Sequence, residues 1–158
     1  MSYAETTTVS FERSIGEMIT LIKGHGAQQI GQFEGDDHFL IWFTLAERMI
    51  RFRLPLPALS EMPTRNGRQQ ALTPQQRRDK LAQARRSRGR ALLLVTKAKL
   101  ESVESGIETV EQAFLANVVV GKEGETVYDI ISKPIAISYS GGQPDPSLGL
   151  LPPPDSAA

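Results

Sequence analysis

The chain has 158 residues, 40% of them apolar, no cysteine, and 18 basic against 18 acidic residues. That is enough apolar chain to bury one core, and the missing cysteine excludes disulfides, thiolate metal sites and cysteine nucleophiles. The zero net charge hides a segregation: 14 of the 18 basic residues lie between Arg48 and Lys99, with only Glu61 and Asp79 to oppose them. That block carries about +12 and the remainder about −12, so a polyanion or an acidic surface is its expected counterpart. The opening Met1-Ser2-Tyr3-Ala4-Glu5 has neither a basic region nor an apolar run. No apolar stretch reaches the roughly 20 residues that span a bilayer, so a cytoplasmic protein with no membrane partner is expected.

Residues 1–9 read as a flexible leader. Ser10 then has the character of a helix cap, with Phe11, Ile15, Met18, Ile19 and Ile22 at helical spacing and Gly24 and Gly26 as the stop. Three runs follow as an antiparallel meander, residues 28–34, 38–45 and 48–54, ended by Pro55 and Pro57. In the third, Ile50, Phe52 and Leu54 alternate with Arg51 and Arg53. The second is apolar on both faces, Phe39, Ile41 and Phe43 against Leu40 and Trp42, which predicts a strand covered twice. One helix covers one face; the other calls for the long second helix or a second copy of the chain.

Residues 55–72 form a polar, mobile loop. Thr73-Pro74-Gln75-Gln76 opens a helix as a capping box with proline in its first turn, and the helical pattern runs to Ser105 before Gly106. Thr109-Val110-Glu111-Gln112 repeats the box for a shorter helix through Phe114 and Leu115, Gly121 to Gly124 is a turn, and Val127–Tyr139 is a helix bent or divided at Pro134. Gly and Pro dominate residues 141–158, the composition of a disordered tail. The fold class is α+β, with a single domain over residues 10–140.

The long helix has two unlike halves. Ala91 to Val95 is apolar all round, whereas residues 77–90 carry Arg77, Arg78, Lys80, Arg85, Arg86, Arg88 and Arg90. At about 100° per residue, Arg85 and Arg88 fall on the same side as Leu92 and Val95. Either the arginine half projects as an arm or the helix breaks near Gly89. The face then meets the chain's own Glu101, Glu104, Glu108 and Glu111, a second subunit's acidic residues, nucleic-acid phosphates, or a compact anionic ligand such as a nucleotide.

Gly89-Arg90-Ala91-Leu92-Leu93-Leu94-Val95-Thr96-Lys97-Ala98-Lys99-Leu100-Glu101-Ser102-Val103-Glu104-Ser105-Gly106-Ile107, with Glu111 to Asn117, Val118-Val119-Val120 and Arg51-Phe52-Arg53-Leu54-Pro55-Leu56-Pro57, resembles a family of small uncharacterised proteins encoded by tailed phages and prophages. The resemblance covers residues 10–140. Members often carry an aromatic before the arginine that opens the leucine run; Gly89 stands there in this chain, which predicts looser packing. The resemblance implies a setting of accessory genes that handle nucleic acid or inhibit host defence. It implies no activity and transfers no functional residue.

Candidate chemistry is sparse. His25 and His38 are the only histidines, and no nucleophile elbow accompanies them. Glu34-Gly35-Asp36-Asp37-His38 has the composition of a hairpin turn, with a metal or acid–base role as the lesser reading. Leu40 and Trp42 share a strand face that serves as core, as a subunit interface, or as an aromatic platform for bases beside Arg51 and Arg53. The resulting expectation is a non-enzymatic protein with no cofactor. It binds an anionic partner, foremost nucleic acid, through Arg77, Arg78, Arg85, Arg86, Arg88 and Arg90, with Arg51 and Arg53 in support. An anti-defence or regulatory protein that binds a nucleotide or a host protein is the alternative, and a structural homo-oligomer the third reading.

Overall fold

A computed structural model describes residues 4–143. Ser10 caps helix α1 (Phe11–Gly24), its Oγ accepting from the Arg13 N–H at 3.2 Å. Glu12 in the first turn and Lys23 in the last complement the helix dipole. The strands β1 (Gln28–Glu34), β2 (His38–Leu45) and β3 (Arg48–Pro55) form an antiparallel sheet in the order β1-β2-β3. β2 and β3 pair without interruption from Leu45 opposite Arg48 to His38 opposite Pro55. Their turn is made by Ala46 and Glu47 at φ 48° and 60°, a left-handed pair for which Asn-Gly is the usual choice. β1 carries a bulge between Gln28 and Gly31, with Gln29 at φ 52°.

Helix α2 (Pro74–Glu104) begins at the Thr73 capping box, in which Thr73 Oγ1 accepts from the Gln76 N–H and Gln76 Oε1 from the Thr73 N–H. It runs unbroken through Gly89 for 31 residues, about 46 Å. Its buried residues are Gly89, Leu92, Leu93, Thr96 and Leu100, a line that differs from the one the apolar run suggests. Val95 is 46% exposed, so the run from Ala91 to Val95 is not buried all round. The arginine half is no free arm either. Gln83 Nε2 donates to the Glu5 and Thr7 carbonyls at 2.8 and 2.9 Å, tying the leader to α2, and Ala4 is buried. The loop expected to be mobile has its own order: a 3-10 turn at Leu59–Glu61, a bridge between Arg65 and Ala71, and Asn66 Oδ1 accepting from the Arg68 and Gln70 N–H groups.

Both long helices cover the same face of the sheet. Phe39, Ile41, Phe43, Leu45, Ile50 and Phe52 share one core with Phe11, Ile15, Met18 and Ile22 of α1 and Leu92, Leu93 and Leu100 of α2. The double cover expected for β2 is therefore absent among the described residues. Leu40 and Trp42, on the opposite face, stay half-buried. Trp42 manages this by lying across Gly31 of the neighbouring strand, where a Cβ would fall inside the indole.

The chain then returns to the free edge of β3. Helix α3 (Val110–Ala113), capped by Thr109 and Gln112, leads into a 3-10 turn at Leu115–Asn117. Val118 bridges to Ile50, and the Val119 N–H donates to the Met49 carbonyl at 2.8 Å, covering backbone groups that an edge strand leaves open. After the turn at Gly121 to Gly124, Thr126 caps helix α4 (Val127–Tyr139), which continues through Pro134. The tail expected over 141–158 lies outside the described residues beyond position 143.

Gly89 is where α1 crosses α2. A Cβ there would stand 2.8 Å from Phe11 Cδ2 and 3.3 Å from Phe11 Cα, so the glycine tightens the packing rather than loosening it. Gly89→Ala gains up to about 1 kcal/mol of helix propensity but forces Phe11 and its backbone away, at about 1–3 kcal/mol. The expected result is a net loss of about 1 kcal/mol, read from the urea midpoint.

Candidate nucleic-acid interface

The arginines nominated from the sequence separate into two groups. Arg77 Nη2 donates to the Leu59 and Met62 carbonyls at 2.9 and 3.3 Å and holds the 3-10 turn against α2. Arg85 Nη1 lies 3.6 Å from Glu34 Oε1 at the end of β1, and Arg90 Nη1 lies 3.0 Å from Glu17 Oε2 on α1. These three brace α2 against its neighbours. Arg78 and Arg86 instead donate to neutral glutamines one turn back, Gln75 Oε1 at 2.8 Å and Gln83 Oε1 at 2.6 Å, and form no ion pair among the described residues. Arg88 and Lys80 are exposed and make no hydrogen bond or ion pair among the described residues.

Arg78, Arg85 and Arg86 fall within about 100° of arc on α2, a single basic stripe. The only acidic residue in the arginine half is Asp79, and it accepts from Gln75 Nε2 at 2.9 Å. Beside the stripe is a cleft of about 220 Å³ lined by Ser10, Phe11, Glu12, Glu34, Ala82 and Arg85 among others. Arg86 lines it as well, and its two carboxylates, Glu12 and Glu34, oppose an anion inside it. None of the acidic partners suggested by sequence reaches the α2 arginines. Glu111 pairs with Arg48 at 2.7 Å, Glu104 lies 3.6 Å from His25 Nε2, and Glu108 accepts from Ser102 Oγ at 2.6 Å. An unbroken α2 carries that acidic end away from the arginines.

Arg51 and Arg53 do not join this stripe. They alternate with the buried Ile50 and Phe52 and so emerge on the sheet face turned away from α1 and α2. There Arg51 stands opposite Trp42 and Arg53 opposite Leu40. With Asn117, Thr126, Tyr128 and Asp129 they border a cleft of about 410 Å³. Arg51 Nη2 lies 3.2 Å from Asp129 Oδ2, and Asn117 Nδ2 donates to the Arg51 carbonyl at 3.2 Å. The Thr126 backbone N–H and hydroxyl donate to Asp129 and, with Arg51 beside it, hold its carboxyl below the usual range. Tyr128 at this site carried no signal in the sequence beyond its place in the first turn of α4.

The acidic turn is built for backbone reasons: the Gly35 N–H donates to the His38 carbonyl at 2.8 Å. His38 Nδ1 lies 2.6 Å from Asp37 Oδ1, and that bond, with the more distant charge of Arg53, lowers the Asp37 pKa. Among the described residues no three histidine, aspartate or glutamate side chains are disposed to hold a metal ion, and no helix is long and apolar enough to cross a membrane. His25 Nδ1 lies 2.9 Å from the Leu21 carbonyl at the end of α1. No family model, curated protein or solved structure matches the chain.

Proposed function

We propose that the chain is a non-enzymatic phage or prophage accessory protein that binds nucleic acid, in the host cytoplasm, through the basic half of α2. The observation that carries this reading is the lack of any carboxylate partner, among the described residues, for Arg78, Arg86, Arg88 and Lys80. The chain holds as many acidic as basic residues, and its ion pairs engage other arginines while leaving these four open. Guanidinium forks suit phosphate oxygens, and a rigid helix braced at Arg77, Arg85 and Arg90 holds them in place without ordering on binding.

Fluorescence anisotropy of labelled single- and double-stranded oligonucleotides tests this. Three phosphate contacts, at Arg78, Arg86 and Arg88 within about 160° of arc, imply a fall in affinity of roughly fortyfold between about 50 and 200 mM salt. Absence of binding at the lower salt removes the proposal. The alternative, a regulatory protein that docks on a host protein, is favoured by a different feature: α4 leaves Tyr128, Ile130, Ile135, Ile137 and Tyr139 exposed on one 13-residue helix.

A further inference from the structure

The outer face of the sheet combines three things that the α2 stripe does not. It has a flat apolar floor, since Trp42 spreads over Gly31 and Leu40 lies between Phe33 and Arg53. It has aromatic side chains open to solvent, Phe33 at 52% and Tyr128 at 63% exposure. Along one border it has two guanidiniums on the same strand and face. Arg51 is clamped by Asp129, yet its Nε is buried with no partner among the described residues, and Arg53 makes no hydrogen bond or ion pair among them. Two arginines against one carboxylate leave the cleft at about +1.

These features choose between occupants. An apolar protein surface laid here would strip water from Arg53 and from the open side of Arg51 without replacing it. A second copy whose two-fold axis passes through the arginine pair would set that pair against its own image, a like-charge contact. A ligand with a planar ring and an anion a few ångströms away satisfies both halves. We infer that this face binds a nucleotide unit, the phosphate held by Arg51 and Arg53 and the base stacked on Tyr128 beside them in the cleft, with Trp42 next to Arg51 across the strand pair, independently of the α2 stripe. Base–aromatic stacking tolerates any base, and the sheet holds the floor flat before the ligand arrives. The same chemistry is presented by a free nucleotide and by one nucleotide of a single strand, whereas a duplex hides its base faces.

Trp42 is the only tryptophan, so its emission reports on this face directly. The full chain is titrated with adenosine monophosphate, inorganic phosphate and a deoxythymidine oligonucleotide of about 12 residues, a length within known single-strand site sizes. Quenching by the monophosphate and the oligonucleotide but not by inorganic phosphate is expected, weakened at least tenfold in Arg53→Glu and in Tyr128→Ala. Both substituted side chains are exposed and leave the core untouched. If the monophosphate quenches more strongly per nucleotide, the source is a free nucleotide; if the oligonucleotide does, it is a strand. Equal competition by inorganic phosphate would reduce the face to an anion site and overturn the inference. So would unchanged affinity in both variants. Oligonucleotide binding by anisotropy with silent Trp42 would overturn it while sparing the α2 reading. Quenching by the monophosphate without salt-dependent oligonucleotide binding would do the reverse.

Discussion

The triple charge reversal Arg78→Glu, Arg86→Glu, Arg88→Glu is expected to abolish most nucleic-acid affinity while leaving the fold in place. Each phosphate contact contributes about 0.9 to the slope of log affinity against log salt, so losing three lowers the slope by about 2.7. If affinity extrapolated to 1 M salt is unchanged, that amounts to about three orders of magnitude at 50 mM and roughly a hundredfold at 200 mM. Stability should move little at the exposed Arg78 and Arg88, usually within about 0.5 kcal/mol each, and more at the half-buried Arg86, whose partner Gln83 also holds the leader. Arg85 is deliberately spared. Reversing it would set a carboxylate against Glu34 and confuse a binding defect with a loosened β1. A triple variant that keeps wild-type affinity and salt slope, with unchanged far-UV circular dichroism, would sink the α2 reading.

What the sequence carried and what it concealed divide along a physical line. Local signals were legible. The caps at Ser10, Thr73 and Thr109 need only a side-chain oxygen three residues from a backbone N–H, and all three form. The alternation of Ile50 and Phe52 with Arg51 and Arg53 set the register of β3, because a slip of one residue would bury both arginines. Signals that depend on a distant neighbour were not legible. Gly89 reads as a helix breaker until Phe11 is placed against it. The two apolar faces of β2 read as double cover until Gly31 turns out to seat Trp42. The segregation of charge was plain, yet which arginines act as braces depended on Glu17 and Glu34, far away in the chain. The β2–β3 turn was located by the ends of its two strands and not by its own residues, since Ala46-Glu47 lacks the residues that favour positive φ.

Phe114→Ala is expected to be the most damaging single substitution to stability, and it shows how the outer face depends on the core. Phe114 is fully buried, with its ring centroid 6.3 Å from Phe43 and 6.2 Å from Phe52, edge to face with both, and Lys99 Nζ 5.6 Å from its centroid. It sits between α3 and the following 3-10 turn, so the return of the chain to β3 is anchored by this ring. Truncation removes the buried ring and leaves a cavity in the space it filled, a cost of about 3–5 kcal/mol, against a total stability of roughly 5–15 kcal/mol for a domain. For a chain of this size that lowers Tm by roughly 10–15 °C. The neighbouring Leu115→Ala, at a side chain 48% exposed, should stay within about 0.5 kcal/mol and serves as the control. The loss should be uneven. Asn117, Thr126, Tyr128 and Asp129 all follow Phe114 in the chain, and Val118 and Val119 hold the β3 edge only while that segment is docked. The α2 stripe is braced by residues of α1, β1, the leader and the 3-10 turn at Leu59–Glu61, all of which precede it. Near the Tm of the variant, amide exchange should therefore open over residues 110–139 before it opens over α2. Simultaneous loss of protection in both regions would show that the sheet, its edge segment and α2 melt as one unit.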